Sequence, residues 1–151
     1  MVWPSDLIPI ILALVFGAVV GLEREIHGKS AGLRTNILIC VGAAIFTMVS
    51  KQMAGANDSH TRIAAQIVTG VGFLGAGAII QDRGGVHGLT TAASIWLVAS
   101  IGMACGAHYY YLALVGTVLS IAVLLGLTPI TKAIYRQRTK QQNVESNEDI
   151  E

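Results

Sequence analysis

Residues 62–82 read RIAAQIVTGVGFLGAGAIIQD. From Ile63 to Ile80 no side chain carries a formal charge. At about 1.5 Å per residue such a run reaches roughly 27 Å as a helix, enough to cross a thin or locally adapted bilayer. Gly70, Gly72, Gly75 and Gly77 crowd its second half, with Ala76 and Ala78 among them. In water each glycine would cost a helix about 1 kcal/mol relative to alanine. In lipid every backbone group must be paired within the segment, so the helix forms regardless. Small residues also let neighbouring backbones come close. The stretch therefore reads as the central transmembrane helix, packed by others on most sides, with Gly70, Gly72, Gly75 and Gly77 as packing positions.

The rest of the chain agrees with a membrane setting. Of 151 residues 53% are hydrophobic and 13% charged, with a mean hydropathy of +0.62. A soluble domain carries about 25% charged residues. Further apolar runs cover residues 7–22, 36–53, 89–107 and 112–130, and Pro9 falls in the first turn of the first, where proline is tolerated. With 63–80 they make one all-α domain, residues 1–131, of five transmembrane helices. Residues 132–151 read as a charged, disordered tail. The first run has no basic leader and no small-residue cleavage site, so it is expected to stay in the mature protein.

Arg24, Lys29, Arg34, Arg83, Lys132, Arg136, Arg138 and Lys140 fall on one side of these helices, and Lys51 and Arg62 on the other. The positive-inside rule then puts the N-terminus outside and the C-terminus in the cytoplasm. A shift of 56 residues lays Gly21 on Gly77, Gly28 on Gly84, Gly32 on Gly88, Leu33 on Leu89 and Thr35 on Thr91. The common frame, G-x6-G-x3-G-L-x-T, suggests a parallel repeat of helices 1–2 and 3–4.

Two groups of residues could carry chemistry. Glu23, Glu25, Arg34 and Asp82 gather at the cytoplasmic helix ends, as a hard-cation site or as an ion-pair cluster, and structural pairing of Arg34 with Glu23 or Glu25 is the preferred reading. Arg62, Gln66, Thr69, Thr90, Thr91 and Ser94 are polar groups within or beside the membrane helices, Gln66 most simply as an interhelical hydrogen bond. No ionisable residue stands at mid-depth, which argues against a proton-coupled transporter or a charged pore. His27, His60, His87 and His108 lack metal-ligand spacing, and Cys40 and Cys105 lie in apolar runs as packing residues. GVGFLGAG resembles a dinucleotide loop only superficially, since no strand precedes it. A net charge of +1 gives no argument for nucleic acid. No nucleophile and base can be paired, so no enzyme is expected. No resident cofactor is expected either, with Mg²⁺ the candidate if the carboxylates hold an ion. The basic segment KAIYRQRTK, residues 132–140, reads as a contact with anionic membrane lipid.

Three blocks, GLEREIHGKSAGLRTNILICVGAAIF at 21–46, RIAAQIVTGVGFLGAGAII at 62–80 and GLTTAASIW at 88–96, closely resemble the hydrophobic domain of the MgtC/SapB family. The resemblance covers about residues 10–107. It implies a bacterial inner-membrane protein linked to magnesium limitation and, in some pathogens, to survival inside macrophages. It further implies action by binding other membrane proteins, such as transport ATPases and ATP synthase, rather than by carrying Mg²⁺. The matching family positions are Glu23, Arg24, Arg34, Arg62, Gln66, Gly72, Gly75, Gly77 and the GLTTAAS segment. Two departures stand out: many members carry an ACT-like soluble domain where this sequence has a short charged tail, and Thr90 occupies the place of an asparagine in the virulence-associated branch. The expectation is a non-enzymatic regulator of magnesium homeostasis that associates with itself or with other membrane proteins. The alternative is a small transporter or channel for a cation or small solute.

Overall fold

A computed structural model describes residues 4–53, 61–82 and 85–127. It contains five helices: α1 (Pro4–Ile26), α2 (Leu33–Met53), α3 (Thr61–Gly77), α4 (Leu89–Gly106) and α5 (Tyr110–Gly126). Between α3 and α4 a short antiparallel hairpin joins β1 (Ile80–Asp82) to β2 (Gly85–His87), pairing Ile80 with His87 and Gln81 with Val86. Contacts divide the chain into residues 1–120 and 121–151. In the second unit the described residues complete α5, and the Leu127 N–H bonds the Val123 carbonyl.

Three helices are long and apolar enough to cross a membrane, over Leu7–Ile26, Leu33–Met53 and Leu89–Gly106, while Ala65–Gly77 and Tyr110–Gly126 are shorter apolar helices. The interior is built from small side chains: Ala13, Cys40, Ala43, Ala44, Ala99, Cys105 and Ala113 are buried. Val20, Ile67, Val71, Ile95, Val98 and Ile101 join them, while many other large side chains point outward, with Leu38 71% and Phe73 82% exposed. This is the distribution of a membrane protein, in which helices associate by close backbone approach because lipid is as apolar as any side chain.

Close approach comes from two pairs of glycines four residues apart. Gly17 and Gly21 on α1 lie against α2. A Cβ on Gly17 would come within 2.8 Å of the Cys40 Cβ, and one on Gly21 within 2.9 Å of the Leu33 Cα. As α1 advances, its partners on α2 move backward, so the two helices are antiparallel. Gly102 and Gly106 on α4 press on α2 from another side. Gly102 meets the Cys40 carbonyl and Ala43, and Gly106 the Ala44 carbonyl and Thr47. Here both indices rise together, so α2 and α4 run parallel. Their starts, Leu33 and Leu89, are separated by 89 − 33 = 56 residues. The two connections nevertheless differ, one a tight turn and the other a β-hairpin.

The expectation that α3 is the central helix is corrected by this packing. α3 contacts α4 and, less extensively, α2. Only Gly75 of its four glycines has a close neighbour, Ala92, whereas a Cβ on Gly70, Gly72 or Gly77 would meet no described atom within 4 Å. The expected boundaries shift too. α1 continues through Glu23, Arg24 and Glu25 to Ile26, and it begins at Pro4, so Pro9 lies beyond the first turn and is buried. α3 stops at Gly77 rather than Ile80. Its last turn tightens through bonds from the Ala78 N–H to Gly75 and from the Ile79 N–H to Ala76. The hairpin then returns Gly88, at φ +88°, directly onto the Ala78 carbonyl, where no side chain would fit. The tail at 132–151 lies outside the described residues.

Candidate functional site

The polar groups of the described structure concentrate where α1 ends and α2 and α4 begin. α1 closes on Gly28, whose φ of +63° lets the Gly28 N–H reach the Glu25 carbonyl at 3.0 Å and the Lys29 N–H reach the Arg24 carbonyl at 3.0 Å. This left-handed helix cap turns the chain back at once. It carries the Glu25 carboxylate over Gly32, and Glu25 Oε2 accepts a 2.9 Å hydrogen bond from the Leu33 N–H. A carboxylate there satisfies one of the free N–H groups opening α2 and faces the positive end of its dipole.

Arg24 projects the other way, into the protein, and is 3% exposed. Its NH2 nitrogen donates to Thr91 Oγ1 at 2.7 Å, tying the end of α1 to the first turn of α4. Asn36, fully buried, donates from Nδ2 to the carbonyls of Ala31 at 2.7 Å and Gly32 at 2.8 Å, which fixes the turn against α2. Arg24 and Asn36 thus hold three helix ends and one turn together. His27 Nδ1 lies 2.8 Å from the Glu23 carbonyl and 3.1 Å from Glu23 Oε1. Among the described residues Glu23 Oε2, Arg24 Nε and Asn36 Oδ1 are buried without a hydrogen-bond partner.

The expected carboxylate cluster is therefore arranged differently. Glu25 caps α2 and Glu23 turns to His27, while Arg34 is exposed and has no ion-pair partner among the described residues. The pairing expected for Arg34 does not form, because the tight turn delivers Glu25 to a backbone N–H before Arg34 can reach it. The side chain of Asp82 lies outside the described residues, as does that of Arg62. Among the described residues no three His, Cys, Asp or Glu side chains are grouped as metal ligands. The buried Arg24 guanidinium, whose charge interacts with that of Glu23, would also oppose a cation there.

The membrane-level polar residues are dispersed. Thr91 belongs to the Arg24 junction, and the Ser94 hydroxyl donates to the Thr91 carbonyl at 2.8 Å. Thr90 is exposed. The Thr69 hydroxyl donates to Ala65 in its own helix at 3.1 Å. Gln66 is exposed and lines a groove of about 490 Å³ between α2 and α3, with Leu38, Gly42, Phe46, Gly70 and Leu74. Sequence reasoning passed over the Gly17/Gly21 and Gly102/Gly106 pairs and the burial of Arg24 and Asn36. The four-residue glycine spacing was the available signal for the first. Nothing local distinguishes Arg24 from the charged residues beside it.

Comparison with known proteins adds the following. The MgtC family matches over residues 10–133. Protein MgtC of Brucella abortus is 44% identical over 129 residues, which is 85% of this chain and 54% of that protein. A protein named putative magnesium transporter YhiD in Escherichia coli K12 is 45% identical over 125 residues, 78% of this chain and 58% of that protein. Protein MgtC of Salmonella typhimurium is 46% identical over 110 residues, 73% of this chain and 47% of that protein. The chain thus spans about half the length of the curated relatives it matches. No solved structure matches it.

Proposed function

This chain belongs to the MgtC family, and from that premise we propose that it serves magnesium homeostasis as a non-enzymatic protein of the bacterial inner membrane. It acts by docking against other membrane proteins. Transport ATPases and ATP synthase are the partner types that the family resemblance suggests, and a second copy of the chain is another. The N-terminus lies outside and the C-terminus in the cytoplasm, as the distribution of basic residues requires.

The observation that carries this reading is the glycine backbone left uncovered on α3, Gly70 and Gly77 on one side and Gly72 on the other. Gly70, Gly72 and Gly77 meet no described neighbour, and Gln66 is exposed one turn before Gly70. An exposed amide in lipid gains by hydrogen bonding to another helix, and bare glycine backbone admits a helix at close range. A conduit has less support. The hydroxyls of Thr47, Ser94, Ser100, Thr117 and Ser120 all donate to carbonyls of their own helices. Each hydroxyl oxygen keeps its lone pairs, so the case against a conduit rests on the apolar runs, which hold no ionisable residue at mid-depth.

Transport remains the second reading, favoured by the similarity to the Escherichia coli protein named as a putative magnesium transporter. Mg²⁺ flux into liposomes holding the purified protein separates the two, with a Glu23→Gln, Asp82→Asn double variant alongside. The docking reading expects no protein-dependent flux from material of normal helical content, and recovery of a membrane partner from native membranes that Gly72→Leu abolishes. Flux that the double variant loses would replace it with transport.

A further inference from the structure

A second groove, of about 630 Å³, opens between α2, α3 and α4 at the end of the molecule away from Arg24. Its volume lies within the roughly 300–1,000 Å³ of small-molecule sites. Its throat is apolar, formed by Ile67, Val71, Ala99, Met103 and Ala104. Three serine or threonine residues line it, Thr47, Ser50 and Ser100, and the hydroxyls of Thr47 and Ser100 donate to the Ala43 and Leu97 carbonyls at 2.7 Å, within their own helices. The mouth is different. Lys51, in the last turn of α2, and Tyr109, beside the start of α5, stand there, both exposed. Lys51 has no ion-pair partner among the described residues. A tyrosine and a lysine at helix ends mark the level of the lipid headgroups.

We propose that this groove is a binding site for one anionic phospholipid, its acyl chain in the throat and its phosphate at Lys51. The occupant follows from the lining. A polar solute would find few free donors in the throat, and an uncharged apolar molecule would make no use of the cation at its mouth. A bilayer phospholipid matches both ends and is present at high concentration where the groove opens. The site is independent of whether the protein docks partners or transports an ion.

Native mass spectrometry tests it on the full chain, in micelles holding equal amounts of phosphatidylglycerol and phosphatidylcholine with the same acyl chains. One basic residue at a membrane surface is worth about fivefold in favour of the anionic lipid. Wild type should retain one phosphatidylglycerol with that preference. Lys51→Gln should retain the two lipids equally. Ala104→Phe, which fills the throat and keeps Lys51, should lose the retained lipid while preserving helical content. Equal retention of both lipids by wild type, an unchanged preference in Lys51→Gln, or undiminished retention by folded Ala104→Phe would each overturn the proposal.

Discussion

Two sets of glycines in this protein do opposite things. On α1 and α4, Gly17, Gly21, Gly102 and Gly106 are buried against α2, where an added carbon would collide with backbone or Cβ atoms. On α3, Gly70, Gly72 and Gly77 carry the denser glycine sequence, yet an added Cβ on any of them would meet no described atom of a neighbouring element within 4 Å. Spacing explains the contrast. A helix turns about 100° per residue, so residues four apart share a face. The α1 and α4 pairs each make one continuous groove for another backbone. The α3 glycines, at intervals of two, three and two, are split, Gly70 and Gly77 on one side and Gly72 and Gly75 on the other, and only a Cβ on Gly75 would meet a described neighbour. Glycine spacing, and not glycine number, selects the helices that form the core.

The sharpest way to break that contrast is Gly102→Leu. The Cys40 carbonyl and the Ala43 Cβ occupy the space its side chain needs, and both belong to α2. Overpacking by even a few methylenes costs about 1–3 kcal/mol, and here backbone must move. Folded protein should be lost, as read by detergent-unfolding titration, and Gly102→Ala should fall within that range. Arg24→Ala comes next. It removes a buried charged hydrogen bond worth about 1.5–3 kcal/mol. Thr91→Val should cost about 1 kcal/mol, and the pair should couple, because both changes remove the same hydrogen bond between α1 and α4. Full additivity in the double variant would mean that the two side chains act independently.

Much of this was legible in the sequence, and the exceptions have physical causes. The apolar runs located five helices because a lipid-facing helix needs little more than length and hydropathy. The order of packing could not be read the same way. α3 drew the central position through its glycine density, which says that backbones can approach but not from which side. The Glu23-Arg24-Glu25 triplet reads as a helix stopping in water. In the structure α1 runs on to Ile26, and consecutive helical residues point about 100° apart, so Arg24 enters the core while Glu25 reaches α2. Asn36 is a polar residue at the start of an apolar run, and nothing in that position announces its burial. Its role depends on the carbonyls of Ala31 and Gly32 turning toward it, which the Gly28 cap determines.

That cap supplies a smaller effect. Gly28 has φ +63° and no neighbour within 4 Å of an added Cβ, so Gly28→Ala isolates backbone strain from packing. A left-handed alanine costs about 1–2 kcal/mol, and the loss should appear as a modest shift of the unfolding midpoint with helical content kept.

The smallest stability effect belongs to α3, and it is the one that bears on function. Gly72→Ala adds a methyl into open space on a helix, which should change stability by no more than about 1 kcal/mol, in the stabilising direction. If the side of α3 that bears Gly72 is a docking surface, the same methyl sits where another backbone would have to come close. Gly72→Ala and Gly72→Leu should then weaken a membrane complex in graded fashion while unfolding no earlier than wild type. The reverse result, earlier unfolding with association unchanged, would mean that α3 packs inward in the membrane and that its glycines serve the same purpose as those of α1 and α4. Stability and association measured on one variant thus decide whether this protein has two kinds of glycine face or one.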